Sequence, residues 1–414
     1  MNEDRQTLTE VFKIVDLNDQ DALALGLLGY SATKLYNTAN WDRKEAWKET
    51  GKIPACSKQK RELKTNRWYR ALHSQTAQAV LEELDRGYKS WYALRKEHKK
   101  SRPPGFRRKD SLSTLTFKQR AFDVTQSHVR ISIPKKVYGK NSLYLKYGAR
   151  PGVKIVNPKT LQLTERKGEW SAHVTYEVPV LYSRQECVMA GDLGEKYLIA
   201  TVCTDGSAAL YPGGELRSLD RYFSKVSAKC RHPWSKRNVS FKQKWSRKRN
   251  YLLHCISKAV VSDAKARGVS HIVMGYPKDI RDDMQWGRVA NRRMHAWPFK
   301  KLIAMLTYKA ALSGIQVVLI DERGTSSKCS VCGYRDRSGR TTRGWWRCPR
   351  CKVAMQADIN GAANILNEYL LQEGRTVPPI WSSGRLARPA VNRFVWGDPR
   401  PDDHEAGTAH ALVV

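Results

Sequence analysis

Acidic residues are scarce in this chain: 39 Asp and Glu face 74 Lys and Arg, which leaves a net charge of +35 over 414 residues. A field of that sign and size gathers polyanions, and phosphate backbone is the expected partner. Long apolar runs are missing as well. No stretch approaches the roughly 18 apolar residues of a membrane span, so none is expected. The first thirty residues carry acids where a secretory signal wants basic charge, and they lack a small-residue cleavage pattern after an apolar stretch. The protein is therefore expected to stay inside the cell. Nine cysteines in so long a chain make no disulfide scaffold, and the length excludes a peptide hormone or knottin. What the chain does have is 41% hydrophobic residues and 9% aromatics, including 13 Trp. That is too apolar for a disordered basic tail and suits roughly two to four folded domains that bind nucleic acid.

From Trp68 to Arg95 the apolar positions Leu72, Val80, Leu84, Tyr88 and Trp91 recur at helical steps, which predicts a long amphipathic helix. It stops at Pro103, Pro104 and Gly105, in a connector crowded with basic side chains that include Arg107, Arg108 and Lys109. This connector reads as a domain boundary facing phosphate. Between Leu115 and Val180 the pattern switches to short alternating runs, Val129 to Ile133, Leu143 to Tyr147, and a hairpin over Leu161 to Val178 turning at Lys167-Gly168. A small β-barrel or sandwich is expected there. From Val188 three strands follow, the second and third joined by an Asp205-Gly206 turn. Next come a long basic helical stretch, a strand at His271 to Gly275, a helix near Phe299 to Leu312, a strand at Ile315 to Asp321 and a helix from Asp358. The order βββαβαβα is that of an RNase H-like fold. The Pro-, Gly- and charge-rich end has no period and is expected to be a mobile tail.

Cys329-Ser-Val-Cys332 and Cys348-Pro-Arg-Cys351 are two CxxC knuckles fifteen residues apart, and each two-residue gap lets both sulfurs reach one ion. Four thiolates suit a closed, structural Zn²⁺ site. The segment between the knuckles holds five arginines and the pair Trp345-Trp346. These rings either lie beside nucleic acid or, on the alternative reading, pack on the ribbon's own strands.

Asp192 sits at a strand end beside Gly194, and Asp358 opens a helix, where the N-terminal dipole keeps a carboxylate ionised for a hard cation or lets it serve as an N-cap. With Gly191-Asp-Leu-Gly194, Tyr308-Lys-Ala310, Thr325-Ser326 before the first knuckle, and Asp358-x-Asn360-x-Ala362-Ala363-Asn364-Ile365, the chain resembles the TnpB family. These are transposon-encoded, RNA-guided DNA endonucleases related to compact type V CRISPR effectors. Trp68 to Gln78 and Arg102-Pro-Pro-Gly-Phe106 also look like this family.

The resemblance implies a multidomain α+β architecture. Residues 1–20 would give the first strand of a wedge β-barrel, 21–101 an inserted helical recognition lobe, and 102–185 the rest of the barrel. An RNase H-like RuvC nuclease domain would take 186–324 and 356–370, with the zinc ribbon inserted at 325–355 and a tail at 371–414. It also implies Mg²⁺ or Mn²⁺ held by two Asp and one Glu, with Asp192 matching the first acid and Asp358 the last. A guide RNA with a structured scaffold, a target DNA with a short flanking motif, one protein per RNA with a dimer left open, and a prokaryotic, nucleoid-associated location follow from it too.

The middle acid departs from that pattern. Many relatives carry Glu at the end of the fourth strand, where this chain has Gly275. Glu322, at the end of the next strand, is the expected replacement, because neighbouring strands lie about 4.8 Å apart. Asp321, one of Asp279, Asp282 and Asp283, or no residue at all are the open alternatives. With no replacement the protein would be a nuclease-inactive, RNA-guided repressor; a compact type V effector is a further alternative. Arg221 to Asn250 holds eleven Lys or Arg and no acid, with Trp234, Phe241 and Trp245 interleaved. Lys236, Arg237, Lys242, Lys244 and Arg247 are expected to track a phosphate backbone, the aromatics stacking on bases or propping the helix.

Overall fold

The computed structural model describes residues 4–376 and 389–392, apart from 99, 149–154, 231, 233–234, 277–286, 288–290, 292–293, 295, 323 and 340–343. The chain divides into two units, one of Thr7–Val178 and one running from Pro179 to Pro401 together with the first six residues. No helix among the described residues is long and apolar enough to cross a membrane.

The first unit contains β1 (Asp4–Lys13), α1 (Asp19–Thr50), α2 (Cys56–Glu62), α3 (Arg67–Arg70) and α4 (Ser74–Glu97). It continues with β2 (Leu115–Lys118), β3 (Phe122–Val124), β4 (His128–Ser132), α5 (Lys135–Tyr138), β5 (Ser142–Lys146), β6 (Pro158–Arg166) and β7 (Glu169–Val180). Asn18 caps α1 by accepting from the Asp21 amide, and Gly51 ends it in the left-handed region at φ 66°. The helix expected over Trp68–Arg95 is interrupted. Ala71–His73 separate α3 from α4, and the Ala71 carbonyl freed at the break accepts from the Tyr138 hydroxyl at 3.1 Å. Strands β1-β7-β6-β2 form one sheet and β3-β4-β5 another. An antiparallel bridge between Ile14 and Tyr147 joins their edges, and both sheets share one apolar core with α1 and α4. Lys167 and Gly168, both at positive φ, form the tight β6–β7 turn read from the sequence.

The second unit contains β8 (Cys187–Asp192), β9 (Tyr197–Cys203), β10 (Ala208–Pro212), α6 (Gly214–Ala228), α7 (Lys236–Ala266) and β11 (Val269–Tyr276). It continues with α8 (Phe299–Leu312), β12 (Gln316–Asp321), β13 (Trp345–Arg347), β14 (Ala354–Gln356), α9 (Ala357–Gln372) and β15 (Ala390–Val391). Six strands form one sheet in the order β12-β11-β8-β9-β10-β15. The antiparallel meander β8-β9-β10 carries parallel β11 and β12 on its β8 side, as the sequence order βββαβαβα requires. Helix α9 lays Ile359, Ala362, Ala363 and Leu366 on this sheet against Val188, Ala190 and Val202. The tail is not wholly without structure, since Ala390 and Val391 pair in parallel with Ala209 and Leu210. Residues 377–388 and those beyond 392 lie outside the described residues.

Candidate active site and metal centre

The parallel strands β8, β11 and β12 end at the same edge of the sheet. Met274 pairs with Gly191, and Gly275 with Ile320, so Asp192, Gly275 and the residues closing β12 lie in a row across adjacent strands. A Cβ on Gly275 would stand 2.8 Å from Glu322 Oε2, 3.2 Å from Glu322 Cβ and 2.5 Å from Ile365 Cδ1. The space a side chain at 275 would need is thus filled by Glu322. Gly361, on α9, is a second close approach, where a Cβ would lie 2.5 Å from Asp192 Oδ2. Asp358 stands one turn earlier on the same helix, with its Oδ1 3.9 Å from the Cβ position of Gly194.

Gln356 caps α9 by accepting from the Ile359 amide at 2.7 Å, and its Nε2 donates to Asp358 Oδ2 at 2.7 Å. The capping role possible for Asp358 therefore falls to Gln356, leaving the Asp358 carboxylate turned toward the β8 loop. Burial, reinforced by the neighbouring Asp321 charge, pushes Glu322 up to about 7. Its Oε2 is buried without a hydrogen-bond partner among the described residues. Asp321, the last residue of β12, pairs with Tyr276 of β11 and is exposed, whereas Glu322 is half-buried. Asp279, Asp282 and Asp283 lie outside the described residues.

Among the described residues, the four cysteines are the one set of three or more His, Cys, Asp or Glu whose ligand atoms all lie within 4.8 Å of one another. Asp192, Glu322 and Asp358 do not form such a set. Cys329 and Cys351 approach to 3.7 Å between sulfurs, Cys332 and Cys348 to 3.5 Å. A tetrahedron with Zn–S bonds of about 2.3 Å has edges of about 3.8 Å, so the four sulfurs fit Zn²⁺. The two knuckles repeat one backbone pattern. The Gly333 amide donates to Cys329 O and the Lys352 amide to Cys348 O, each at 3.0 Å, with both donors at positive φ. The Cys351 amide also donates to Cys348 Sγ at 3.4 Å, a contact that favours thiolate.

Trp346 is only 1% exposed and packs with Cys329, Cys348, Met355 and Ala357, while Trp345 is 51% exposed. Of the two rings expected beside nucleic acid, Trp346 is instead a core residue of the ribbon, because alternating β13 positions face opposite sides. Lys236, Arg237, Lys242, Lys244 and Arg247 are all exposed on α7. Phe241 and Trp245 turn the other way. Phe223 of α6 stacks on both, at 5.4 and 4.3 Å between ring centroids, and Trp245 Nε1 donates to Asp220 at 2.9 Å, so these aromatics prop the helix. Trp234 lies outside the described residues.

Arg107 is engaged within its own unit, paired with Glu83 and set 3.9 Å over the Tyr36 ring. Arg108 and Lys109 are exposed beside a cavity of about 610 Å³ that also includes Trp41 and Phe106. Those two rings are 57% and 49% exposed, and Lys44 Nζ stands 4.2 Å from the Phe106 ring. Sequence reasoning did not single out Trp41, whose place in α1 reads as ordinary helix. Only the bare basic loop opposite makes it conspicuous.

Residues 299–365, from α8 through both knuckles to the middle of α9, match the family model described as Cas12f1-like, TNB domain. The TnpB-like protein ORF457 of Acidianus two-tailed virus is 24% identical, over 87% of this chain and 86% of its own. The chain is TnpB-like. It is likewise similar to the CRISPR-associated endodeoxyribonuclease Cas12f1 of Sulfoacidibacillus thermotolerans, 33% identical over 27% of this chain and 25% of that one. This TnpB-like protein is also 23% identical to the putative RNA-guided DNA endonuclease InsQ of Escherichia coli (strain K12), over 72% of the chain and 75% of InsQ. Its fold is similar to Cas12f1 in a Cas12f1–sgRNA–target DNA complex, with a TM-score of 0.60 and 14% identity over 85% of this chain and 84% of that one.

Proposed function

We propose that this TnpB-like protein is an RNA-guided DNA endonuclease of the transposon and Cas12 type, in which Asp192, Glu322 and Asp358 hold Mg²⁺ or Mn²⁺. The names of ORF457, InsQ and Cas12f1 support the guided-nuclease reading. The observation that carries the cutting step is Glu322 Oε2, buried without a hydrogen-bond partner among the described residues and lying over Gly275. An ionised acid in that state is costly unless a cation balances it or it takes up a proton. Oxygen ligands suit Mg²⁺ or Mn²⁺, which would activate water and stabilise the leaving 3′ oxygen, leaving a 5′ phosphate. The nuclease-inactive reading rested on Gly275 alone, and Glu322 over that glycine argues against it.

In this reading the first unit supplies the wedge barrel (1–20 and 102–185) and recognition lobe (21–101). Its two edge-joined sheets with one core support the barrel. Residues 186–324 and 356–370 are the RuvC domain, and 325–355 the zinc ribbon. Arg108 and Lys109 with Trp41 and Phe106, the exposed cations of α7, and Trp345 contact nucleic acid.

Protein purified with its copurifying RNA should cut a plasmid matching that RNA only when a divalent cation is present, and RNase treatment should abolish target binding. Target binding with no cleavage in Mg²⁺ or Mn²⁺ would reject the nuclease; binding that survives RNase would reject RNA guidance. Charge reversal of Lys236, Arg237, Lys242 and Arg247 should lower the slope of log affinity against log salt by about 0.9 for each duplex phosphate that is no longer neutralised. An unchanged slope would remove α7 from the interface.

A further inference from the structure

Helix α9 presents two adjacent stripes. Asp358, Gly361 and Ile365, at i, i+3 and i+7, face the carboxylate cluster. Asn360, Asn364 and Asn367, at i, i+4 and i+7, form the second stripe and are at most 8% exposed. Buried asparagine in a helix interior is unfavourable unless its amide is bonded. Here each amide bonds the backbone between Thr325 and Ser330, which begins with the 3₁₀ turn Thr325–Ser327 and enters the first knuckle. Asn360 accepts from the Ser330 amide at 3.0 Å and donates to the Lys328 carbonyl at 2.7 Å. Asn364 donates to the Thr325 carbonyl at 2.8 Å and to the Lys328 carbonyl at 2.7 Å. Asn367 donates to the Ser330 carbonyl at 2.9 Å. Thr325 in turn bonds the Glu322 carbonyl twice, through its amide at 3.2 Å and its hydroxyl at 2.9 Å.

A continuous chain of hydrogen bonds therefore runs from Asn364 through Thr325 to Glu322. Glu322 follows the last residue of β12, so the sheet register alone does not fix where its backbone goes. Asn364 ties that backbone to the helix that carries Asp358. The same amide, with Asn360, grips Lys328, the residue before Cys329, so the segment is pinned at both ends.

We propose that Asn364 is the positioning residue for Glu322, holding the displaced glutamate in register with Asp192 and Asp358 through Thr325. The inference rests on the cation-binding reading of those three acids. Asn367 provides the internal comparison. It makes the same kind of bond from the same helix, but to Ser330, beyond the first knuckle cysteine and away from Glu322.

Mn²⁺ binding to the full-length protein, followed by electron paramagnetic resonance titration, separates positioning from general stability, with thermal midpoint and zinc content measured alongside. Asn364→Ala should weaken Mn²⁺ about tenfold or more, the usual range for loss of a group that orients a ligand. It should keep its zinc and regain cleavage when Mn²⁺ is raised in proportion. Asn367→Ala should change the thermal midpoint comparably but leave Mn²⁺ affinity unchanged. Thr325→Val, which removes the hydroxyl bond to Glu322 without altering α9, should weaken Mn²⁺ in the same direction and keeps the test open if Asn364→Ala folds poorly. Equal Mn²⁺ affinities in wild type, Asn364→Ala and Thr325→Val, or equal losses in Asn364→Ala and Asn367→Ala, would overturn the proposal. If Asp192→Ala binds Mn²⁺ as wild type does, the ion is not at the carboxylates and the underlying reading fails with it.

Discussion

Replacing Asp192, Glu322 or Asp358 singly by Ala should lower divalent-dependent cleavage of a guide-matched plasmid by more than about 100-fold while RNA binding stays intact. Loss of a group that merely orients a ligand costs about 10–100-fold, and a ligand itself contributes directly to the charge that the cation must find. Glu322→Gln is the most informative variant, because it keeps the shape packed over Gly275 and removes only the ionisable oxygen. Asp321→Asn should be mild, since Asp321 is exposed while Glu322 turns inward. Gly275→Ala should also impair cleavage, although all three acids remain. Its methyl would meet Ile365 Cδ1 at 2.5 Å and Glu322 Oε2 at 2.8 Å, so the carboxylate must move. Full cleavage by Glu322→Gln, measured at several Mg²⁺ concentrations, would assign the middle acid elsewhere.

The second large effect is expected at the cysteines. Structural zinc contributes about 10–16 kcal/mol of apparent binding free energy in small zinc modules, far more than the apolar packing of so short a ribbon supplies. Among its described residues the ribbon has the short β13–β14 pair and the few side chains around Trp346. Chelation, or Cys329→Ser, should therefore open residues 325–355 to proteolysis and redshift the fluorescence of buried Trp346. Zinc content should fall from one per chain toward none. The consequence should extend to cutting, because the segment entering the first knuckle is the one bonded by α9 and leading back to Glu322. A ribbon that keeps its protease resistance and Trp emission after complete chelation would show that zinc is not what folds it.

Much of this was legible in the residues themselves. Two CxxC knuckles need little context, since a two-residue gap puts both sulfurs on one ion wherever the chain goes. The sulfurs indeed gather at 3.5 and 3.7 Å. The hairpins at Lys167-Gly168 and Asp205-Gly206 were similarly local, because turn chemistry fixes them. Exposed cations on α7 followed from a run without acids. Less legible were the aromatics. Trp345 and Trp346 are adjacent and chemically identical, and only strand register decides which is wet. The break between α3 and α4 hid inside a helical period, and the strand at Ala390–Val391 hid inside a tail with no pattern at all.

The sequence by itself determined the identities at stake: a basic chain, four thiols at ribbon spacing, acids at 192 and 358, and a glycine where another acid was expected. Only the tertiary structure brings the Glu322 side chain over that glycine. Gly275 and Glu322 are 47 positions apart, and the approach of the Glu322 side chain to Gly275 depends on β11 and β12 pairing in parallel and on α9 packing across their ends. Periodicity reports the environment of one element at a time. Contact between the ends of separate elements is set by how they pack, and no local pattern carries that information.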